Sequence, residues 1–539
     1  MNVKKGVFAC NTSTGNQSVT GVGFQPKAVI LWGVKLASNN TFTSGDNAFW
    51  FGAATSATNR WCMAGAEDDA VTTSNTGRRL STDRVIHILA SGTPTTEAVA
   101  NLVSFDTDGF TINWSSAPTS AWQCHYMALG GSTITNARAG ATSTTPDSST
   151  AITGVGFKPD LLMMVGINTG NDTSASNKTV MVGLASGSGS SSQAVVASRY
   201  RDAMTTTDNI SYQDTGYSFA LLSGVSSSFS WRGSLASFDT DGFTISWTNT
   251  LGFNQNFCYL ALKGGAYRVI TDTQRTATTG TRSTTGVGFQ PVGALFASWG
   301  STASGGSIDT SQARLTISAS DGTNEGGFWW QSADNVTTTD LDQKSFTDKA
   351  LLLATQPSTT DAEADLASFD TDGFTLDWTT VADSTERRFI TVLFGDHRIT
   401  PATQEDDAAV AAGRLKMRAV SSVTDAQTTL TVGRIHQRSV TTMTQDDAAV
   451  AAGRIHQRSV TTMTQDDAAV AAGRIHQRSA SSVTDAQTTL TVGRIHQRSV
   501  TTTTGTDTAR IINIEANIVT RAFDHPAPVI SAFDAPTRD

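Results

Sequence analysis

Three pairs of carboxylates, each in the same short motif, are the first residues in this sequence equipped for chemistry. Asp106 and Asp108, Asp239 and Asp241, and Asp370 and Asp372 each stand in Asp-Thr-Asp-Gly followed by Phe-Thr. Carboxylates two residues apart suit a calcium loop. Such a loop needs more oxygen ligands, and the spaced polar residues and closing Glu of a helix-loop-helix site are missing. A hairpin turn explains the motif more simply. Asp accepts local backbone N–H bonds, Gly supplies a positive φ, and the chain continues into a strand.

Tryptophans offer a second chemistry, because their faces suit the apolar faces of sugar rings. Trp114 alternates with polar neighbours and recurs at Trp247 and Trp378, so it reads as core. Trp50 and Trp61 flank a loop and are the candidate carbohydrate contacts. In Glu67-Asp68-Asp69 only Glu67 and Asp69 would share a face of an extended strand. The run has no counterpart motif nearby and reads as a solvated acidic loop rather than a glycosidase pair.

Thr20-Gly21-Val22-Gly23-Phe24 lacks the glycine spacing and Lys-Ser/Thr pair of a phosphate loop. Its glycines are expected to relieve close backbone packing before Pro26. Cys10, Cys62, Cys124 and Cys258 match no zinc or redox spacing and read as buried free thiols. Nothing places a nucleophile, a base and an orienting acid together. The expectation is a non-enzyme with no cofactor and no metal.

One further set recurs every 20 residues: Arg434, His436 and Arg438, then Arg454, His456 and Arg458, Arg474, His476 and Arg478, and Arg494, His496 and Arg498. On a strand each trio shares one face, and stacking would line the trios into a basic ladder, a candidate assembly face. Single histidines without a His-x-His pair are a weak metal signal. Asp446 and Asp447 offer internal charge balance as the simpler partner.

The elements that must carry these residues are set by repetition. Thr20–Pro26 returns at 153–159 and 285–291, and Ser104–Trp114 returns at 237–247 and 368–378. Both markers give three copies, at 1–133, 134–266 and 267–397. Short apolar runs such as Ala28-Val29-Ile30-Leu31-Trp32, and the alternation of Phe110, Ile112 and Trp114, predict strands. The expected class is all-β: three tandem antiparallel β-sandwich domains of jelly-roll-like type. A β-rich, stacked or fibrous extension of 20-residue repeats follows over about 398–510, with a capping or docking arm at 511–539. Short linkers predict a semi-rigid rod or arc.

Charged residues are only 16% of the chain and the formal charge is -9. That gives no electrostatic ground for nucleic-acid binding. No apolar run is long enough for a membrane span, and the amino terminus does not resemble a secretion signal. The chain is expected to be made in a host cytoplasm.

The Thr-Gly-Val-Gly-Phe-Gln-Pro and Ser-Phe-Asp-Thr-Asp-Gly-Phe-Thr motifs resemble repeat domains of tailed-bacteriophage structural proteins, including tail-fibre or appendage proteins. The resemblance covers 1–397. It implies a virion component in the tail, fibre or baseplate region, a homo-oligomer with the trimer as a candidate state, contacting other virion proteins. Host-surface glycan adhesion and a capsid-decoration or head-fibre role are the alternatives. It transfers no catalytic residue.

Overall fold

The computed structural model describes residues 1–396 except 146, 251–253, 301–307, 311, 356–357 and 383, together with the backbone of short strands between 403 and 516. The described residues are all-β, without an α-helix and with one 3-10 turn at Ser190–Ser192. Contacts divide the chain into two units, Met1–Arg398 and Ile399–Asp539.

In the first unit each copy contributes six strands of a seven-stranded antiparallel sheet and all of a four-stranded one. In copy 1 the larger runs Asn2–Ala9, Gln123–Gly130, Pro26–Val34, Asn47–Ala54, Arg60–Glu67, Thr76–Ser81 and the smaller Gly15–Thr20, Gly109–Ser116, Thr96–Asp106, Ile86–Leu89. One core lies between them, with Leu31, Trp50 and Tyr126 from the larger sheet meeting Phe110, Ile112 and Trp114 from the smaller.

The seventh strand of each large sheet comes from another copy. Thr173–Ser176 of copy 2 pairs with Thr76–Ser81 of copy 1, and Ile308–Asp309 of copy 3 pairs with Asn209–Asp214 of copy 2. Thr43–Ser44 of copy 1 pairs with Leu341–Phe346 of copy 3, which closes the cycle. The outer faces of the three large sheets pack on one another around a shared core that includes Trp32, Phe49 and Trp61, Met163 and Tyr200, and Trp299 and Trp330. Strands such as Asn47–Ala54 are therefore buried on both faces. The copies form a closed ring and not the rod or arc expected from short linkers, because their apolar outer faces can leave water only against each other.

The two marker motifs prove to be one device. A turn at Thr107-Asp108 joins Thr96–Asp106 to Gly109–Ser116. The Asp108 carboxylate accepts the amides of Gly21 at 3.0 Å and Gly23 at 2.5 Å, on the neighbouring strand's exit. Asp241 does the same with Gly154 and Gly156, and Asp372 with Gly286 and Gly288. These amides are distant in sequence, not local as the turn reading expected. Gly21 and Gly23 have φ of 79° and 83°, and a Cβ on either would meet nothing within 4 Å. Their role is left-handed backbone that aims two amides at one carboxylate, rather than close packing. Those two bonds hold the Asp108 carboxyl below its usual range. Asp106 accepts the hydroxyls of Ser104 and Thr111, an arrangement repeated at Asp239 and Asp370.

The second unit is described through its strands. Val440–Asp446, Ala449–Ala452 and Ile455–Gln457 each pair in parallel with the equivalent strand 20 residues on. Three six-stranded sheets result. His436, His456, His476 and His496 occupy successive register positions in one of them, flanked by Lys416 and Glu515. The arginines of the candidate assembly face, Arg434 through Arg498, lie outside the described residues.

Candidate assembly site

The copies interlock through three loops that follow the strands ending at Glu67, Tyr200 and Ala333. Asp69-Ala70-Val71-Thr72-Thr73-Ser74 corresponds to Asp202-Ala203-Met204-Thr205-Thr206-Thr207 and to Asp334-Asn335-Val336-Thr337-Thr338-Thr339. The leading aspartates are 133 and 132 positions apart, the same period as the other markers.

Each loop bonds into the preceding copy around the ring. The Ala70 amide donates to the Thr339 carbonyl at 2.9 Å, Ala203 to Ser74 at 2.7 Å, and Asn335 to Thr207 at 3.0 Å. The next amide finds the hydroxyl of the same acceptor residue. Val71 donates to Thr339 Oγ1, Met204 to Ser74 Oγ and Val336 to Thr207 Oγ1, at 3.0, 2.9 and 3.0 Å. The aspartates complete the set, accepting amides across the junction from Leu341, Thr76 and Asn209. Ala70, Ala203 and Asn335 sit at φ of 54°, 56° and 57°. Left-handed backbone costs a residue with a Cβ about 1–2 kcal/mol. It is held here because it turns two successive amides toward the neighbouring copy.

Ser74, Thr207 and Thr339 are buried. Thr207→Ala would strand the Val336 amide, so unfolding free energy should fall by about 1–3 kcal/mol. Urea denaturation followed by tryptophan fluorescence reads this in the first unit alone, since every Trp lies at or before Trp378.

Side chains behind the loops extend the same logic. Arg78 donates to the carbonyls of Ser176, Asn177 and Asn168, Ser211 to that of Gln312, and Gln343 to that of Asp46. Trp61 Nε1 donates 2.7 Å to the Tyr259 carbonyl of copy 2.

At the centre is an ion pair without exposure to solvent. Lys178 Nζ of copy 2 lies 2.9 Å from Glu67 Oε2 of copy 1, with side chains 0% and 1% exposed. Glu67 Oε1 accepts the Ser332 hydroxyl of copy 3 at 2.7 Å. The ammonium sits over the Trp330 and Tyr200 rings, 3.4 and 4.1 Å from their centroids. Desolvation lowers the Lys178 ammonium to about 8, and the nearby Glu67 carboxylate opposes that fall.

Several nominated residues are placed otherwise than expected. Trp50 and Trp61 are both 0% exposed, Trp50 in the core of copy 1 and Trp61 in the shared core, so neither can face a sugar. They flank a loop in sequence, but the strands carrying them are covered on both sides. Glu67-Asp68-Asp69 is no solvated loop: Glu67 is buried in the ion pair and Asp69 caps the Leu341 amide. Asp69 also has counterparts, Asp202 and Asp334. The four cysteines are buried free thiols, and burial pushes Cys62 up to about 12. Among the described residues no three His, Cys, Asp or Glu are grouped to hold a metal ion.

The interlocking loops are not legible as such in the sequence, although the Asp-x-x-Thr-Thr-Ser/Thr motif recurs at the repeat period. The apolar markers report strands, and nothing in one loop announces that its partners lie in another copy. No protein-family model and no curated protein matches this chain.

Proposed function

We propose that this chain is a structural component of a tailed-phage virion, in the tail, fibre or baseplate region. In this reading the three copies are jelly-roll-like β-sandwiches locked into one block, and the 20-residue repeats form a stacked extension that anchors it. The observation that carries the reading is the use made of the repeated polar residues. The Asp-Thr-Asp-Gly carboxylates, the loop hydroxyls and the exchanged strands are all spent on holding the block together. The two motifs that resemble phage repeat domains form one clasp in every copy, which supports a shared mechanical role. Val103 and Val225 are the exposed large hydrophobics among the described residues, so contacts with other virion proteins would be polar.

A cryo-electron map of intact particles tests this. Copies in the tail, fibre or baseplate, with the extension between subunits, are the expected result. Distal copies with exposed sheet faces would favour adhesion to host glycans, density on the head would favour decoration, and absence from particles would sink the assignment.

A further inference from the structure

The loops and exchanged strands are repeated in all three copies and so tell no copy from another. The centre does. Strand register makes Glu67, Tyr200 and Ser332 equivalent, each paired with one member of the set Asn47, Lys178 and Ala313. By the same register Gly65, Ser198 and Trp330 correspond.

In the observed ring, Lys178 of copy 2 reaches into copy 1. It passes Gly65, where a Cβ would come within 2.8 Å of its stem, and ends on Glu67. Directed contacts among three copies can close in two cyclic orders. In the other order copy 1 would present Gly65 and Glu67 to Ala313, and copy 3 would present Trp330 and Ser332 to Lys178. Both charges would be buried without a counter-ion, and the lysine stem would face an indole in place of a glycine.

We infer that the Glu67–Lys178 pair, seated over Gly65, selects the cyclic order in which the three copies close. An ion pair buried this deeply adds little net stability over a well-packed apolar pair, but losing either partner is costly, so its strength is discrimination.

The test is a competition within the full chain. Asn40 Oδ1 accepts the Thr347 amide at 2.9 Å, a contact between copies 1 and 3. Thr215 is the counterpart of Thr347 in copy 2. A chain with Asn40→Cys, Thr215→Cys and Thr347→Cys is refolded from denaturant under oxidising conditions, and mass spectrometry identifies the partner of position 40. With the native pair, the disulfide to 347 should exceed that to 215 by at least about tenfold. Glu67→Leu with Lys178→Met, a neutral and apolar pair, should reduce that excess severalfold. Moving the cation, with Lys178→Ala and Ala313→Lys, should shift the disulfide toward 215. An unchanged excess in the neutral pair overturns the inference whether or not the third variant folds, because the order would then be set by something else, the short segments joining the copies or copy-specific contacts such as Lys5 with Asp321 and the Glu325 carbonyl.

Discussion

Lys178→Met alone should cost about 3–5 kcal/mol of unfolding free energy, among the largest effects of any single substitution in the first unit. The loss does not measure a bond of that strength. It measures a Glu67 carboxylate left in a site with 1% exposure, holding only the Ser332 hydroxyl. The neutral double variant, Glu67→Leu with Lys178→Met, should recover most of the loss, since neither residue then brings charge out of water. Fluorescence-monitored urea unfolding of wild type, both single variants and the double gives the coupling energy directly. If the double variant is as unstable as Lys178→Met, the loss comes from packing against Trp330 and Tyr200 and the charge account fails.

The all-β character is legible because two distinct hydrophobic patterns are present, and their difference also bears on how the copies pack. Phe110, Ile112 and Trp114 alternate with polar residues, and the strand Gly109–Ser116 has one face in the core of its copy. Ala28-Val29-Ile30-Leu31-Trp32 does not alternate. Val29 and Leu31 enter the core of copy 1, whereas Ala28, Ile30 and Trp32 enter the core shared by all copies. A strand apolar on both faces needs a layer on each side. A two-sheet arrangement supplies one of them. The second had to come from elsewhere, and in a chain of three copies the other copies were the nearest source.

The polar half of the site was harder to read for a different reason. Glu67 and Lys178 are 111 positions apart, and neither recurs at the repeat period, so a search for repeated motifs discards both. Deviation from the repeat was the useful signal. Tyr200 and Ser332 occupy the place of Glu67, and a chain that keeps its marker glycines and aspartates yet changes charge, ring and hydroxyl at one position has three different environments there. The clasp was half legible: the turn could be read from Asp-Gly, but the amides that hold Asp108 arrive from 85 and 87 positions away.

Acid should weaken the first unit before its ordinary carboxylates titrate, because two histidines are buried neutral. His87 lies between the Ser81 and Thr96 hydroxyls, at 2.9 and 2.8 Å. Desolvation, with Arg79 and Arg84 adding to it, lowers its pKa to about 3. His125 of copy 1 is fully buried, meets the Ser345 hydroxyl of copy 3 at 2.9 Å, and is held well below its usual range by desolvation and by Lys5. Both folded values lie below the unfolded value near 6.5, so between those limits the unfolded chain binds more protons and stability falls as pH falls. His87 alone removes about 2 kcal/mol between pH 7 and pH 5, and His125 adds to that loss. Glu325 acts in the opposite sense. Desolvation raises its carboxyl to about 7, so the folded state takes up a proton there first and regains about 2 kcal/mol over the same interval. Wild type should therefore lose less stability from pH 7 to pH 5 than Glu325→Gln, by about 2 kcal/mol. His125→Gln should remove roughly half of the histidine contribution, and its amide can still bond to Ser345. Unfolding midpoints at pH 7, 6 and 5 for the three proteins separate these contributions. A Glu325→Gln profile no steeper than wild type would mean that the carboxyl is ionised at pH 7, and a flat profile in both would place a proton on the histidines in the folded state.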